Sequence, residues 1–182
     1  MARKTVLLLV VLLLSLSAVV TQPTFSSIST PDSWMAIAPM PTARGGLGLV
    51  SVNNTLYAIG GSTASGLYPS DQFGGLVGTN EAYNITTNSW TYKSPMPTPR
   101  DYFAIAAYQN KIYCIGGHIK SIIDDSTHHS QFVVSGITEV YNAETDKWET
   151  KTPMPTIGMY LQASVTNGKI LVTGAGSYLY DP

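Results

Sequence analysis

The sequence has few charged residues and almost no cysteine. Of its 182 residues 12% are charged, and Cys114 is the single cysteine. A disulfide within one chain is therefore excluded, so burial of apolar surface and strand pairing must stabilise the fold. Cys114 lies inside a strand pattern, where a free thiol usually behaves as a small buried hydrophobe. The formal net charge of −1 lacks the basic excess that nucleic-acid binding needs, so no nucleic-acid partner is expected.

Recognisable catalytic and cofactor motifs are also missing. The sequence has no Gly-x-Ser-x-Gly elbow, no phosphate-binding glycine loop and no His-Glu-x-x-His. We therefore expect no cofactor, and a binding role is favoured over catalysis. Weak candidates for a divalent metal ion are Asp124, Asp125, His128 and His129. Adjacent histidines would point in opposite directions in an extended segment, so a solvated loop is the preferred interpretation.

Long apolar runs are confined to the N-terminus. A basic start, "MARK", precedes a mostly apolar run over residues 6–20, which is short of the roughly 20 residues that cross a bilayer. Residues 1–20 are predicted to be a signal peptide or, alternatively, an uncleaved membrane anchor. Either would export the rest, as a secreted protein or one tethered to the outer face of the membrane. Residues 21–32 are a Ser/Thr/Pro linker, and Asn53 and Asn84 begin candidate glycosylation sequons.

What the sequence does contain is an internal repeat. The stretch "LYAIGG" at residues 56–61 recurs as "IYCIGG" at residues 112–117. Aligning the two brings tryptophans and Met-Pro pairs into register at spacings of 56 and 58 residues, with Tyr seven residues before Trp. The structural landmarks of the repeat are Gly60, Gly61, Gly116, Gly117, Tyr83, Tyr141, Trp34, Trp90 and Trp148.

Each unit is predicted to form four short strands. The predicted strands lie at 46–52, 55–60, 81–84 and 89–93, and again at about 102–108, 111–116, 137–141 and 147–151. A four-stranded sheet with apolar residues on both faces must pack against copies of itself, and packing around an axis makes propeller blades. Glycine pairs at a strand end allow positive φ and close backbone approach. Tyr and Trp are expected to fill the wedge between blades.

These residues resemble the kelch repeat, in which an apolar strand ending in "GG" precedes a variable loop, Tyr and Trp at fixed spacing, and "PMP". The resemblance covers residues 34–182 and implies an all-β, kelch-type β-propeller of four-stranded antiparallel blades. Within kelch repeats over 33–182, the predicted divisions are 33–43 (the fourth strand of a closing blade), 44–95 and 100–152 (two blades) and 157–182 (a partial blade). The ring is incomplete, with about 2.5–3 blades.

The incomplete ring leaves two interpretations open. Propellers have four to eight blades, so this chain cannot close a ring alone. The segment 33–43 would complement three strands at the other end of the chain, so two chains sharing strands would give a homodimer with six blades. The interpretation that we favour is that the chain is a fragment of a longer propeller.

The face that carries the long loops is the predicted binding face. Loops over 62–79 and 118–136 are expected to open beside the links between blades, and long loops on a rigid scaffold often bind ligands. The candidate ligand-binding residues are Arg44, Arg100, Tyr68, Phe73 and His118. The arginines could hold an acidic or sugar ligand by forked hydrogen bonds, or they could satisfy loop carbonyls and a neighbouring Glu. The aromatic residues could stack on a sugar.

The favoured hypothesis is an exported kelch-repeat binding module that presents loops to a protein or glycan ligand. One alternative is a fragment of an extracellular carbohydrate-active kelch-propeller enzyme, with its catalytic residues in other blades. Another is an anchored cell-surface structural protein. Some kelch-type propellers are copper-radical oxidases that need a Cys cross-linked to a Tyr. Cys114 beside Tyr113 in mid-strand does not match that motif, so this activity is not transferred.

Overall fold

The computed structural model describes residues 32–63, 75–122 and 130–182. Regular structure in these ranges consists of β-strands in antiparallel sheets, which confirms the prediction of an all-β chain. These ranges contain no helix of the length and apolarity that crossing a membrane would require.

Blade one is a four-stranded sheet in simple sequential order. Its strands are β1 (Gly48–Val52), β2 (Thr55–Ile59), β3 (Asn80–Asn84) and β4 (Ser89–Lys93). Asn53 and Asn54 join β1 to β2 with φ of 46° and 60°, the pair of positive values that a type I′ hairpin needs. In the turn after β3, Oδ1 of Asn84 accepts hydrogen bonds from the backbone N–H groups of Thr86 and Thr87.

Blade two is larger than the sequence predicted. Its strands are β5 (Arg100–Asp101), β6 (Ala104–Tyr108), β7 (Lys111–Ile122), β8 (Ser130–Asn142) and β9 (Lys147–Lys151). The predicted first strand at 102–108 is interrupted because Tyr102 has a φ of 51°. The prediction of a loop over 118–136 is wrong for 118–122 and 130–136, since β7 and β8 continue past the glycine pair and stay paired as far as Ile122 and Ser130, and its middle part lies outside the described residues. β-Branched residues in the extended parts of β7 and β8 favour this additional pairing.

Blade three has three strands, in the order β10 (Gln162–Thr166), β11 (Lys169–Thr173) and β12 (Ser177–Tyr180). Asn167 and Gly168 form its first turn, again with positive φ of 48° and 73°. In the part of the chain that the structure describes, no strand pairs with the outer edge of β12. Among the described residues blade three is therefore a three-stranded sheet.

Residues 33–43 do not form the strand that the sequence predicted. The segment was predicted to be the fourth strand of a closing blade, but no described strand pairs with it. The segment instead contacts the β3–β4 turn, where Ala38 N–H donates to Oδ1 of Asn88 at 2.8 Å. The Trp90 indole N–H donates to the Ala38 carbonyl at 2.9 Å. Trp34 is left fully exposed, at 102%.

The three sheets pack side by side through β1, β6 and β10. The central strand β6 contacts β1 on one side and β10 on the other, as neighbouring blades of a propeller do. One apolar core between blades one and two includes Val52, Tyr57, Ile59, Ile112, Cys114 and Tyr141. A second core, between blades two and three, includes Ala104, Tyr113, Ile115, Leu161 and Ile170. The thiol of Cys114 is buried, as its strand position predicted.

The glycine pairs lie where the link to the next blade passes the end of the second strand. Gly60 and Gly61 have φ of 65° and 95°, and Gly116 and Gly117 have φ of 70° and 98°. A Cβ on Gly60 would lie 2.7 Å from the Arg100 carbonyl oxygen. Larger residues are therefore excluded both by the backbone conformation and by the approach of the next blade.

The tyrosine and tryptophan of each unit form a ring pair. The rings of Tyr83 and Trp90 lie 5.1 Å apart, and those of Tyr141 and Trp148 lie 5.2 Å apart, with similar tilts of 44° and 45°. The Trp148 indole N–H donates to the Ser94 carbonyl at 2.8 Å, which repeats the bond of blade one. Each tryptophan thus donates a hydrogen bond to the segment that precedes the first strand of its own blade.

Candidate functional site

Three equivalent link residues share an unusual backbone conformation. Gly46, Tyr102 and Tyr160 stand at corresponding positions before blades one, two and three, with positive φ of 64°, 51° and 53°. A bulky residue in the left-handed region is strained, and such strain concentrates at functional sites. Both tyrosines are nevertheless exposed, at 39% and 60%. These features mark the link face of blades two and three as the candidate site.

The two tyrosines meet His118 on this face. The ring centroids of Tyr102 and Tyr160 lie 4.5 Å apart. The His118 ring lies 5.9 Å from Tyr102 and 6.3 Å from Tyr160, edge-on to both, the geometry that aromatic pairs prefer. We call Tyr102, His118 and Tyr160 the aromatic cluster. Sequence reasoning named His118 but missed both tyrosines, although their spacing of 58 residues matches the repeat.

An acidic side chain lies behind the cluster. Asp101 in β5 is directly opposite His118 in β7, and Oδ1 of Asp101 is 3.3 Å from Nδ1 of His118. Asp101 is only 7% exposed. Burial raises the pKa of the Asp101 carboxyl, and the neighbouring His118 opposes that shift. The cluster therefore combines two exposed tyrosines with the Asp101–His118 pair.

A cavity of about 200 Å³ opens beside the cluster. It is lined by the segments that precede the three blades and by the first residue of β10, through Gly46, Leu47, Tyr102, Phe103, Tyr160, Leu161 and Gln162. An apolar cavity of about 150 Å³ in another protein accommodates benzene. This cavity therefore has room for one ring-sized group, with Tyr102 and Tyr160 at its walls.

Arg44 lies inside blade one rather than on the predicted face. Its guanidinium forms an ion pair with Glu81, and neither side chain is exposed. Its Nε donates to the Gly60 carbonyl at 2.8 Å, and its Nη2 donates to the Ala58 carbonyl at 2.7 Å. These contacts fit the structural alternative, in which the arginine satisfies loop carbonyls and a glutamate. A ligand role for Arg44 stays a prediction.

Arg100 occupies the equivalent place in blade two. Its Nη2 lies 3.0 Å from Oε2 of Glu139 and donates to the Cys114 carbonyl at 3.1 Å, with no exposure of the arginine side chain. Burial lowers the pKa of the guanidinium. The buried Nε and Nη1 of Arg100 have no hydrogen-bond partner among the residues that the structure describes. Like Arg44, this side chain points into the sheet, and its predicted ligand role stays a prediction.

The other predicted residues fall into two groups. Tyr68, Phe73, Asp124, Asp125, His128 and His129 lie outside the described residues, so their ligand or metal roles stay predictions. Within ranges 32–63, 75–122 and 130–182, no three His, Cys, Asp or Glu side chains are grouped to hold a metal ion. The sequon residues Asn53 and Asn84 are both exposed at turns, and their glycosylation stays a prediction.

Comparison with known protein families and sequences gives consistent matches. The family model described as Kelch motif matches residues 43–97. The human Kelch repeat and BTB domain-containing protein 12 is 29% identical over 148 residues, which are 79% of this chain and 23% of that protein. Human Kelch-like protein 15 is 30% identical over 155 residues, which are 82% of this chain and 25% of that protein. The chain thus spans about a quarter of the length of these relatives.

A solved structure has a similar fold. The structure titled "Structure of YjhT" superposes with a TM-score of 0.58 at 21% sequence identity, covering 76% of this chain and 36% of that one. At this identity the likeness concerns the fold alone. It agrees with the three packed antiparallel sheets, and the predicted incomplete propeller is confirmed.

Proposed function

This chain belongs to the kelch-repeat family, and we propose that it is a binding module that holds a protein ligand against the aromatic cluster. The observation that carries this proposal is the exposed pair of tyrosines, Tyr102 and Tyr160, held in left-handed backbone beside a cavity. Strained conformations persist only where the surrounding structure imposes them. Here packed blades hold two large rings at the surface of the module.

A protein ligand suits the chemistry of this face. Tyrosine offers a large rigid contact area with little conformational entropy to lose, and it is enriched at the centres of protein interfaces. The His118–Asp101 pair supplies an ionisable group next to the ring faces. The cavity between the links can receive one apolar or aromatic side chain of the ligand.

The proposal is tested by selecting ligands and then removing the tyrosines. A random-peptide phage library is panned against the full chain, and an enriched peptide is titrated by fluorescence anisotropy. We expect a Tyr102→Ala/Tyr160→Ala variant to bind that peptide at least about tenfold more weakly, since interface tyrosines commonly act as hot spots. Tyr92→Ala is the matched control, because Tyr92 is 67% exposed on β4 and outside the cluster. Failure to enrich any peptide, or equal binding by the double variant, contradicts the proposal.

A glycan ligand is a second candidate, favoured by the ring-sized cavity between the two exposed tyrosines. Aromatic faces pack against the apolar faces of ring-shaped ligands. A glycan array probed with the same three proteins distinguishes the candidates. Binding of a glycan by the full chain and by Tyr92→Ala, with loss in the double variant, supports this second candidate. Absence of array binding alongside peptide binding rejects it.

We further propose export, on the basis of the basic start and the apolar run at residues 6–20. The full chain is expressed in secretory eukaryotic cells and measured in the medium, in the membrane fraction and by intact mass. Loss of residues 1–20 from secreted material supports a signal peptide, whereas retention in membranes supports an anchor. A Leu12→Arg/Leu13→Arg variant is expected to remain inside the cell. Unchanged distribution of that variant contradicts export through this segment.

A further inference from the structure

Blade two carries an acid–base pair that the other two blades lack. Asp101 in β5 and His118 in β7 stand directly opposite each other. The corresponding residues of the other blades are not ionisable: Gly45 and Ser62 in blade one, and Met159 and Gly176 in blade three. Blade one nevertheless forms the same backbone bridge between its two residues. The bridge is thus shared by two blades, whereas the ionisable side chains are particular to blade two.

The two members of the pair differ in their access to solvent. The His118 side chain is 22% exposed and the Asp101 side chain 9%, and Oδ1 of Asp101 lies 3.3 Å from Nδ1 of His118. The Ser62 hydroxyl of blade one forms a hydrogen bond with the same carboxyl. His118 can therefore contact a ligand and exchange protons with water, whereas the more deeply buried Asp101 acts on a ligand through His118.

The charge of this site near neutral pH depends on the pair. The titratable or charged side chains that surround His118 among the described residues are Asp101, the edge-on rings of Tyr102 and Tyr160, and Lys120. Lys120 is exposed, two residues along the same face of β7. Tyrosine and lysine ordinarily titrate at about pH 10, whereas histidine is the side chain that ordinarily changes charge between about pH 5 and pH 8.

A ligand that covers the aromatic cluster also removes water from the pair. Burial already raises the pKa of the Asp101 carboxyl, and the neighbouring His118 opposes that shift. A buried carboxylate without a partner is costly, and a cation beside it offsets much of that cost. The covered pair is therefore more favourable with a proton on it than with a lone carboxylate beside a neutral imidazole.

We propose that Asp101 is a positioning residue of the aromatic cluster, which orients His118 toward the ligand, and that ligand binding takes up a proton on the Asp101–His118 pair. This inference rests on the ligand site proposed above. A complex that holds more protons than the free chain becomes less stable as the pH rises, by linkage. Uptake of one full proton weakens binding by about tenfold per pH unit, so affinity is expected to fall from pH 6 to pH 8.

The first test examines the positioning role without a ligand. NMR chemical shifts of the ring nitrogens are measured at pH 8 in isotope-labelled full chain, and His118→Gln identifies the signals of His118. We expect the neutral ring to carry its proton on Nδ1, the nitrogen next to Asp101, because the group that faces one ring nitrogen sets the tautomer. Asp101→Leu should move the proton toward Nε2. A proton on Nε2 in the wild type, or an unchanged tautomer in Asp101→Leu, overturns the positioning role.

The second test measures proton uptake on binding. A peptide without histidine, enriched by panning against the full chain, is titrated by fluorescence anisotropy at pH 6, 7 and 8. We expect the wild type and the control Tyr92→Ala to bind at least about fivefold more weakly at pH 8 than at pH 6. Asp101→Asn removes the carboxylate charge with little change of shape and should lose this dependence. His118→Gln, at the more exposed position, should lose it too.

The outcomes separate this inference from the proposed function. Binding that does not change with pH in the wild type, or an equal pH dependence in Asp101→Asn and His118→Gln, contradicts proton uptake. Either result leaves the ligand site at Tyr102 and Tyr160 in place. Absence of peptide binding at every pH contradicts both the ligand site and the coupling.

Discussion

Blades one and two differ from blade three in how each holds the link that enters it. In the first two blades a link arginine forms a buried ion pair with a glutamate of the third strand, Arg44 with Glu81 and Arg100 with Glu139. In blade three both positions have changed. Gly158 replaces the arginine, and the strand register places Tyr178 at the position of the glutamate.

A link threonine donates its hydroxyl to the third-strand glutamate or tyrosine in all three blades. Thr42 and Thr98 donate to the carboxylates of Glu81 and Glu139. The equivalent Thr156 donates to the hydroxyl of Tyr178 at 3.0 Å. A buried charge without its partner is strongly destabilising. The comparison indicates that a blade can lack the arginine–glutamate ion pair when both residues change together and a neutral acceptor remains for the threonine.

The largest expected effect comes from breaking one ion pair. Arg44→Ala leaves the fully buried Glu81 without its cation, so we expect the free energy of unfolding to fall by about 3–5 kcal/mol in urea titrations. The double variant Arg44→Gly/Glu81→Tyr copies blade three and should recover at least half of that loss. If the double variant is less stable than Arg44→Ala, the two positions are not exchangeable as a pair.

The second glycine of the pair also distinguishes the blades. Gly117 has a φ of 98°, and an added Cβ would lie 2.5 Å from the Asp101 carbonyl oxygen, whereas Ala175 stands at the equivalent position of blade three. We expect Gly117→Ala to lower the free energy of unfolding by at least about 2 kcal/mol, because strain and a backbone clash combine. Ala175→Gly, the control, should cost no more than about 1 kcal/mol. Equal costs at the two positions would be inconsistent with this account.

The retained threonines permit a matched pair of substitutions. Thr98→Val removes the bond to the buried Glu139 carboxylate, and we expect a loss of about 1.5–3 kcal/mol, the range for bonds to charged groups. Thr156→Val removes a neutral bond at an exposed position, with an expected loss of about 0.5 kcal/mol. Urea unfolding of both variants tests the difference, and a larger loss for Thr156→Val would contradict it.

Cys114 stands where the other blades have Ala58 and Val172, and the last prediction concerns the reactivity of its thiol. Burial raises the pKa of its thiol to about 12, so the reactive thiolate is scarce at pH 8. We expect reaction with a disulfide reagent to be about a thousandfold slower in the folded chain than in denaturant. The rate should rise with pH well above the range where an ordinary cysteine has become fully ionised. Rapid labelling of the folded chain at pH 8 would show that Cys114 is accessible.

Much of the fold follows from local sequence signals. The repeat spacing aligned the predicted strands, and the short gaps between them hold Asn-Asn, Gln-Asn and Asn-Gly, which the structure shows in tight turns of positive φ. The glycine pairs predicted close backbone approach, and Tyr with Trp predicted the ring pairs. These features depend on neighbours a few residues apart or on positions one repeat apart. Both kinds of relation can be read directly from a single sequence.

Much of the candidate site could not be read in that way. Tyr102 and Tyr160 look like ordinary aromatic residues in the sequence, and no local signal in it indicates their left-handed backbone. Arginines such as Arg44 and Arg100 are common in binding faces, but here both side chains are buried because each pairs with a buried glutamate of its blade. The extension of β7 and β8 depends on pairing between segments separated in the chain.

The sequence by itself determined the class of fold, the number of units and the turn at each hairpin, because backbone preferences and apolar periodicity act over short distances. The tertiary structure alone decided which side chains face solvent and which are paired. Burial is set by the neighbouring blade, and the free energy of a charge or an aromatic ring depends on what that blade places against it. For this reason the arginines lie inside the blades, while Tyr102, His118 and Tyr160 form the exposed cluster.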